Sequence, residues 1–138
     1  MAVKLPLSAD RRGAAIVEFA ILLPVLIVML FGMLAYGQYF LLAHSVQQLA
    51  NDAARATVAG MTPAERLSIA GATVTREKSS LPEAASATIT TATEEATEKV
   101  TVRVRLDASN TPLFKTALFP MPDPIIERRA VVRPGGIA

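Results

Sequence analysis

Residues 13 to 43 read GAAIVEFAILLPVLIVMLFGMLAYGQYFLLA. No charged side chain stands between Phe19 and Gly37, and from Phe19 to Ala43 the only strongly polar group is Gln38. At about 1.5 Å of rise per residue, roughly 20 helical residues cross a hydrocarbon layer about 30 Å thick. A mean hydropathy of +0.38 over 138 residues places part of the chain in lipid. One transmembrane helix is therefore expected over residues 14–43.

The flanks of this run orient it. Lys4, Arg11 and Arg12 precede it against Asp10 alone, whereas acids and bases nearly balance beyond His44. The excess of positive charge keeps the N-terminus in the cytoplasm and exports the C-terminal part. The net charge of +2 and the sequence pI near 9.3 are small effects. No basic patch with interleaved aromatics is present, so neither nucleic acid nor an acidic partner is indicated. Cysteine is absent, which excludes disulfides, thiolate catalysis and cysteine-held metals.

Three export signals compete for the N-terminal segment. A conventional signal peptide would use Ala35-Tyr36-Gly37 as its small-x-small site, but the apolar run ahead of it is long and holds Glu18. A twin-arginine signal would use Arg11-Arg12, yet Gly-Ala-Ala follows where a bulky apolar residue is expected. The third reading is a hydrophilic leader, residues 1–13, removed on the cytoplasmic side by cleavage between Gly13 and Ala14. Glycine suits that site because it resists helix and lets the scissile bond extend.

Glu18 gives the third reading its physical content. After such a cut it is the fifth residue of the mature chain. Residues i and i+4 share a helix face, so Glu18 lies about 6 Å along the axis from the amine that cleavage frees at Ala14. The carboxylate can neutralise that amine in its own chain or in a neighbour, which would fix register between packed helices. A plainer alternative leaves Glu18 at the lipid interface, stabilised by the helix dipole.

From Arg12 to about Ala56 the chain resembles the TadE-like family, minor pseudopilins of the tight-adherence (Tad/Flp) pilus system. The resemblance is carried by Arg12-Gly13, Val17-Glu18-Phe19-Ala20, Leu23-Pro24, Phe31-Gly32 and Asp52-Ala53-Ala54-Arg55-Ala56. It implies a single-pass protein of the bacterial inner membrane that supports assembly of adhesive pili related to type IV pili and type II secretion. It also implies processing at Gly13 and Ala14 by a prepilin peptidase, with Glu18 and Phe19 as recognition and assembly residues. The implied partners are membrane lipid, that peptidase, other pilins or pseudopilins and the inner-membrane Tad platform. Major Flp pilins carry Glu-Tyr where this chain has Glu18-Phe19, and they are shorter. An unprocessed, membrane-anchored exported binding module and a soluble secreted protein stay open as alternatives.

Along the mature chain, Pro24 removes a donor from the helix interior, and a kink is expected there. Tyr36 and Tyr39 suit the outer headgroup level. Gly32 and Ala35 allow close helix approach without a clean small-x3-small motif. Residues 44–60 should extend the helix out of the membrane, because Leu42, Val46, Leu49, Ala53 and Ala56 form an apolar stripe. Gly60 ends that helix. Thr62-Pro63-Ala64-Glu65 has capping-box spacing and opens a second helix expected from Pro63 to about Arg76, broken by Ser79-Ser80-Leu81-Pro82.

Three strands are expected, over Ala85–Thr93, Lys99–Leu106 and Ile125–Val132; the second alternates cleanly through Val100, Val102, Val104 and Leu106. Glu94, Glu95 and Glu98 are assigned to a solvated hairpin between the first two rather than to a metal site. Asn110 to Pro124 is a proline-rich connection whose Leu113, Phe114, Leu118 and Phe119 would cover the small core and its sheet edge or offer a contact surface to another pilus component. Pro134-Gly135-Gly136 leaves a frayed end.

No enzyme is indicated: His44, the lone histidine, stands beside no supporting motif, and no phosphate loop or metal spacing occurs. No cofactor, metal or small-molecule substrate is expected. The expected fold class is α+β, pilin-like, with a long N-terminal helix, a short helix and a small antiparallel sheet over residues 61–138.

Overall fold

The computed structural model describes residues 11–81, 84–115 and 120–135. The chain divides into two compact units, Met1–Leu34 and Ala35–Ala138. One helix, α1 (Arg11–Ala56), contributes to both. It begins three residues ahead of Ala14, so Gly13 is helical.

In the first unit every residue from Ala14 to Phe31 is exposed. Leu, Ile, Val, Met and Phe dominate it, and none finds a protein partner to bury against. Such a helix, apolar all round, is stable where lipid rather than water surrounds it. Pro24 lies inside it, and the helical assignment runs unbroken across that residue.

The second unit, called the sheet unit below, is built on the C-terminal half of α1. Leu42, Val46, Leu49 and Ala53 of the expected stripe are buried, together with Ala35, Ala43, Ala50 and Ala54. The stripe is thus wider than spacing of large residues alone suggested, because the alanines between them also turn inward. A 3-10 turn (Thr57–Ala59) closes α1, and the Thr57 hydroxyl donates to the Ala54 carbonyl at 2.6 Å, which satisfies it in a buried setting.

Helix α2 (Pro63–Lys78) starts on the capping box read from the sequence. The Glu65 amide donates to Thr62 Oγ1 at 3.2 Å, and Glu65 Oε2 accepts from the amides of Met61 and Thr62 at 2.8 and 3.2 Å. The helix runs two residues past Arg76. Ser79 and Ser80 then donate their hydroxyls to the carbonyls of Arg76 and Glu77, which satisfies groups that a helix end leaves open.

Strands β1 (Thr88–Ala96), β2 (Lys99–Asp107) and β3 (Ile125–Val132) form an antiparallel sheet in the order β1-β2-β3. β3 has the expected bounds and β2 extends one residue further. β1 is displaced by three residues from the expected Ala85–Thr93, and Glu94 and Glu95 lie on it rather than in a turn. Only Thr97 and Glu98 separate the paired residues Ala96 and Lys99.

Val100, Val102, Val104 and Leu106 of β2 are fully covered. They share one cluster with Leu42, Val46, Ala50 and Ala53 of α1, Ala70 and Val74 of α2, and Ile126 and Ala130 of β3. Alanine on the helices lets the sheet approach closely, while branched residues on β2 fill the space between. The Asn110–Pro124 connection holds a short helix, α3 (Pro112–Lys115), and Phe114 packs on the core as expected. Leu118 and Phe119 lie outside the described residues, as does the Leu113 side chain.

Gly60 is required by a close approach. Its backbone is ordinary (φ −82°, ψ 135°), but a Cβ there would stand 2.7 Å from Arg66 Cγ and 3.0 Å from the Arg66 amide nitrogen. Gly60→Ala should therefore destabilise the sheet unit by about 1–3 kcal/mol. A lower melting midpoint in detergent checks this, with Gly71→Ala as the control, since nothing lies within 4 Å of a Cβ there.

Candidate membrane anchor and processing segment

The segment of interest is the first seven turns of α1. Gly13 is half-exposed and Ala14 exposed, both within the helix. Glu18 is one turn beyond Ala14 and exposed, and Phe19 beside it is 59% exposed. Among the described residues no salt bridge or side-chain hydrogen bond involves Glu18. The structure thus brings Gly13, Ala14 and Glu18 to one stretch of helix, with Phe19 adjacent and Pro24 about a turn and a half further on.

The position of Glu18 bears on its energetics. Because α1 is already helical at Arg11, Glu18 stands at least about two turns in, and the dipole effect fades within the first turn. The plain account of Glu18, stabilised by the helix end, therefore loses force in the uncut chain.

The boundary at the other end of the apolar run is equally defined. Tyr36 donates its hydroxyl to the Pro120 carbonyl at 2.6 Å. Tyr39 is half-buried and stacks edge-on to Phe114 with centroids 6.2 Å apart. Neither partner was foreseeable from spacing, since 84 residues separate Tyr36 from Pro120. His44 Nε2 sits 3.1 Å from Gln48 Nε2, a surface contact along the helix.

The acidic residues read as a solvated hairpin divide. Glu95 pairs with Arg66 at 3.0 Å, and Arg66 also donates through Nε to the Gly60 carbonyl at 3.0 Å. Glu94 pairs with Arg103 at 2.9 Å, and Arg103 Nε is 3.3 Å from Glu127 without the alignment of a hydrogen bond. Only Glu98 occupies the turn. The three-residue shift of β1 carried the other two onto the strand, within reach of arginines. Among the described residues no group of three or more His, Asp or Glu is placed to hold a metal. The grooves are shallow; one between α2 and β1 is lined by Leu67, Gly71, Val74, Thr75, Lys78, Ile89 and Thr91.

Among the described residues, two carboxylates of the sheet unit, Glu65 and Asp107, have pKa values below the ordinary carboxylate range. Glu65 is lowered chiefly by the amides of Met61 and then Thr62, and Asp107 by the hydroxyl and then the amide of Ser109. A depressed carboxylate contributes stability above its unfolded pKa, and that contribution disappears as pH falls through the lower, folded value. Melting midpoints should thus fall on acidification below the ordinary carboxylate range. Glu65→Ala should show a weaker fall than the parent, and an identical acid limb in both would count against the capping box.

These features define a class: one exposed apolar helix, long enough to cross a membrane, followed by a small α+β unit with a three-stranded antiparallel sheet, pilin-like in its order. The family model for TadE-like protein matches residues 13–55, the stretch through which the chain resembles that family. The match covers less than half of the chain and ends before α2. No curated protein and no solved structure matches the chain.

Proposed function

We propose that this protein is a minor pseudopilin of a Tad/Flp-type pilus system. It sits in the inner membrane through residues 14–43, with its N-terminus in the cytoplasm and the sheet unit exported. A prepilin peptidase cuts between Gly13 and Ala14, and Glu18 with Phe19 is read by that peptidase and by neighbouring pilin-type helices. The observation that carries this reading is the TadE-like match beginning at Gly13 and running through Glu18 to the end of the long helix. Pro24 serves as a bend within the span.

Cleavage changes the setting of Glu18. It removes the helical residues 11–13 and creates a charged amine one turn from the carboxylate. A group two turns inside a helix becomes one near its cationic end, where an acid is favoured. The peptidase must first unwind helix at the cut. Glycine at 13 eases this, because it is about 1 kcal/mol poorer than alanine at holding helix. Gly13→Val should accordingly accumulate the uncut form, visible as a heavier band on membranes from cells holding the peptidase. Efficient trimming of that variant would contradict the site.

Removing the protein from a host that carries a Tad system tests the role itself. Surface pili, counted by electron microscopy, should be lost or sparse and should return with the parent chain. Normal piliation without it would refute an assembly function. No catalytic role and no cofactor are proposed.

A further inference from the structure

On α1, the side facing the core and the side facing away change character at different heights. Burial on α1 begins at Ala35, and the residues that join the core cluster begin at Leu42 and Val46, with Tyr39 packed on them. On the other side large apolar groups remain exposed well past that level: Phe40 is 66% and Leu41 55% exposed. Polar residues take over that side only at His44 and Gln48, which contact each other. The two boundaries are displaced by about two and a half helical turns, or about 14 Å.

A hydrocarbon layer entered just after Glu18 takes up roughly 20 residues, Phe19 to Gln38. Phe40 and Leu41 then fall beyond it. They lie within the headgroup layer, which adds about 5–8 Å on each side. Tyr36 and Tyr39 stand at the boundary, where tyrosine is favoured. Both tie the connection after β2 to this height, Tyr36 through the Pro120 carbonyl and Tyr39 through the Phe114 ring. Met121, half-buried beside Pro120, is thereby placed near the same level.

We propose that the base of the sheet unit, formed by Tyr36, Phe40 and Leu41 of α1 with Pro120 and Met121 before β3, is immersed in the phospholipid headgroup layer. The proposal rests on the membrane-spanning reading of α1. Continuity with that span identifies the occupant: the exposed apolar side of α1 passes from the span into this base without a polar break other than Gln38.

Absence of cysteine makes the test direct. Full-length Phe40→Cys, Leu41→Cys and Met121→Cys proteins, each carrying a nitroxide label, are reconstituted into phosphatidylcholine–phosphatidylglycerol vesicles. Collision with oxygen, which favours lipid, and with a neutral nickel chelate, which favours water, is measured by power saturation. Ile27→Cys marks the span and Gln48→Cys the aqueous side. The proposal expects nickel collision at positions 40, 41 and 121 to be several-fold below that at position 48, and oxygen collision to lie between positions 27 and 48. Water-like values at 40 and 41, or at 121, with position 27 in lipid, overturn the immersed base and leave the span intact. A water-like position 27 overturns the span and the base together.

Discussion

Glu18→Ala is expected to abolish pilus assembly while leaving the fold of the sheet unit untouched. Glu18 lies in the first unit, exposed on α1. Its removal should not move the melting midpoint. In a packed assembly of such helices, however, the amine at Ala14 would be left in a low-dielectric setting without its carboxylate. Breaking one side of a buried ion pair costs about 3–5 kcal/mol, enough to lower the population of a subunit contact by more than a hundredfold. Glu18→Gln should fail equally, since the amide restores shape and polarity but not charge. Piliation scored beside peptidase trimming separates the two uses of Glu18, and a trimmed, folded, fully piliated Glu18→Ala strain would contradict the pairing role.

The second large effect lies in the sheet unit. Leu106 is completely covered, and its neighbours across the sheet are Ile89 on β1 and Ile126 on β3. Leu106→Ala removes three carbons from the middle of a small core whose neighbours are held by strand pairing and cannot collapse far. The expected loss is about 2–5 kcal/mol. That is a large share of the roughly 5–15 kcal/mol available to a small domain. At about 4–8 °C per kcal/mol, the midpoint in detergent should fall by at least about 8 °C. Val131→Ala, at a residue 58% exposed on the edge strand, should stay within about 0.5 kcal/mol of the parent. Equal effects at the two sites would mean that β2 is not the centre of the core.

Much of this architecture is legible in residue spacing where one physical signal dominates. The apolar run, the Thr62–Glu65 box and the alternation of β2 each depend on a few neighbouring residues, and each element stands where those residues place it. β1 was displaced because threonine and alanine occupy both of its faces, so alternation carries no register. Its turn, Thr97-Glu98, also lacks the Asn-Gly or Asp-Gly that marks a tight hairpin. The register comes instead from pairing to β2, which is not local information. The same is true of Arg66, whose contacts to Gly60 and Glu95 come from three separate elements. For the candidate processing segment, the residue pattern from Gly13 to Phe19 holds nearly all the information; the structure adds that the chain is helical from Arg11 onward.

Three maturation schemes give chains that begin at different residues. An unprocessed anchor keeps residues 1–13, whereas a pseudopilin loses them, and a secreted product would begin near Gln38. Intact mass of the protein extracted from membranes of a host with an active prepilin peptidase separates these forms in one experiment. A polypeptide beginning at Ala14 is the predicted result. A full-length chain, recovered where that peptidase's other substrates are trimmed, would contradict it.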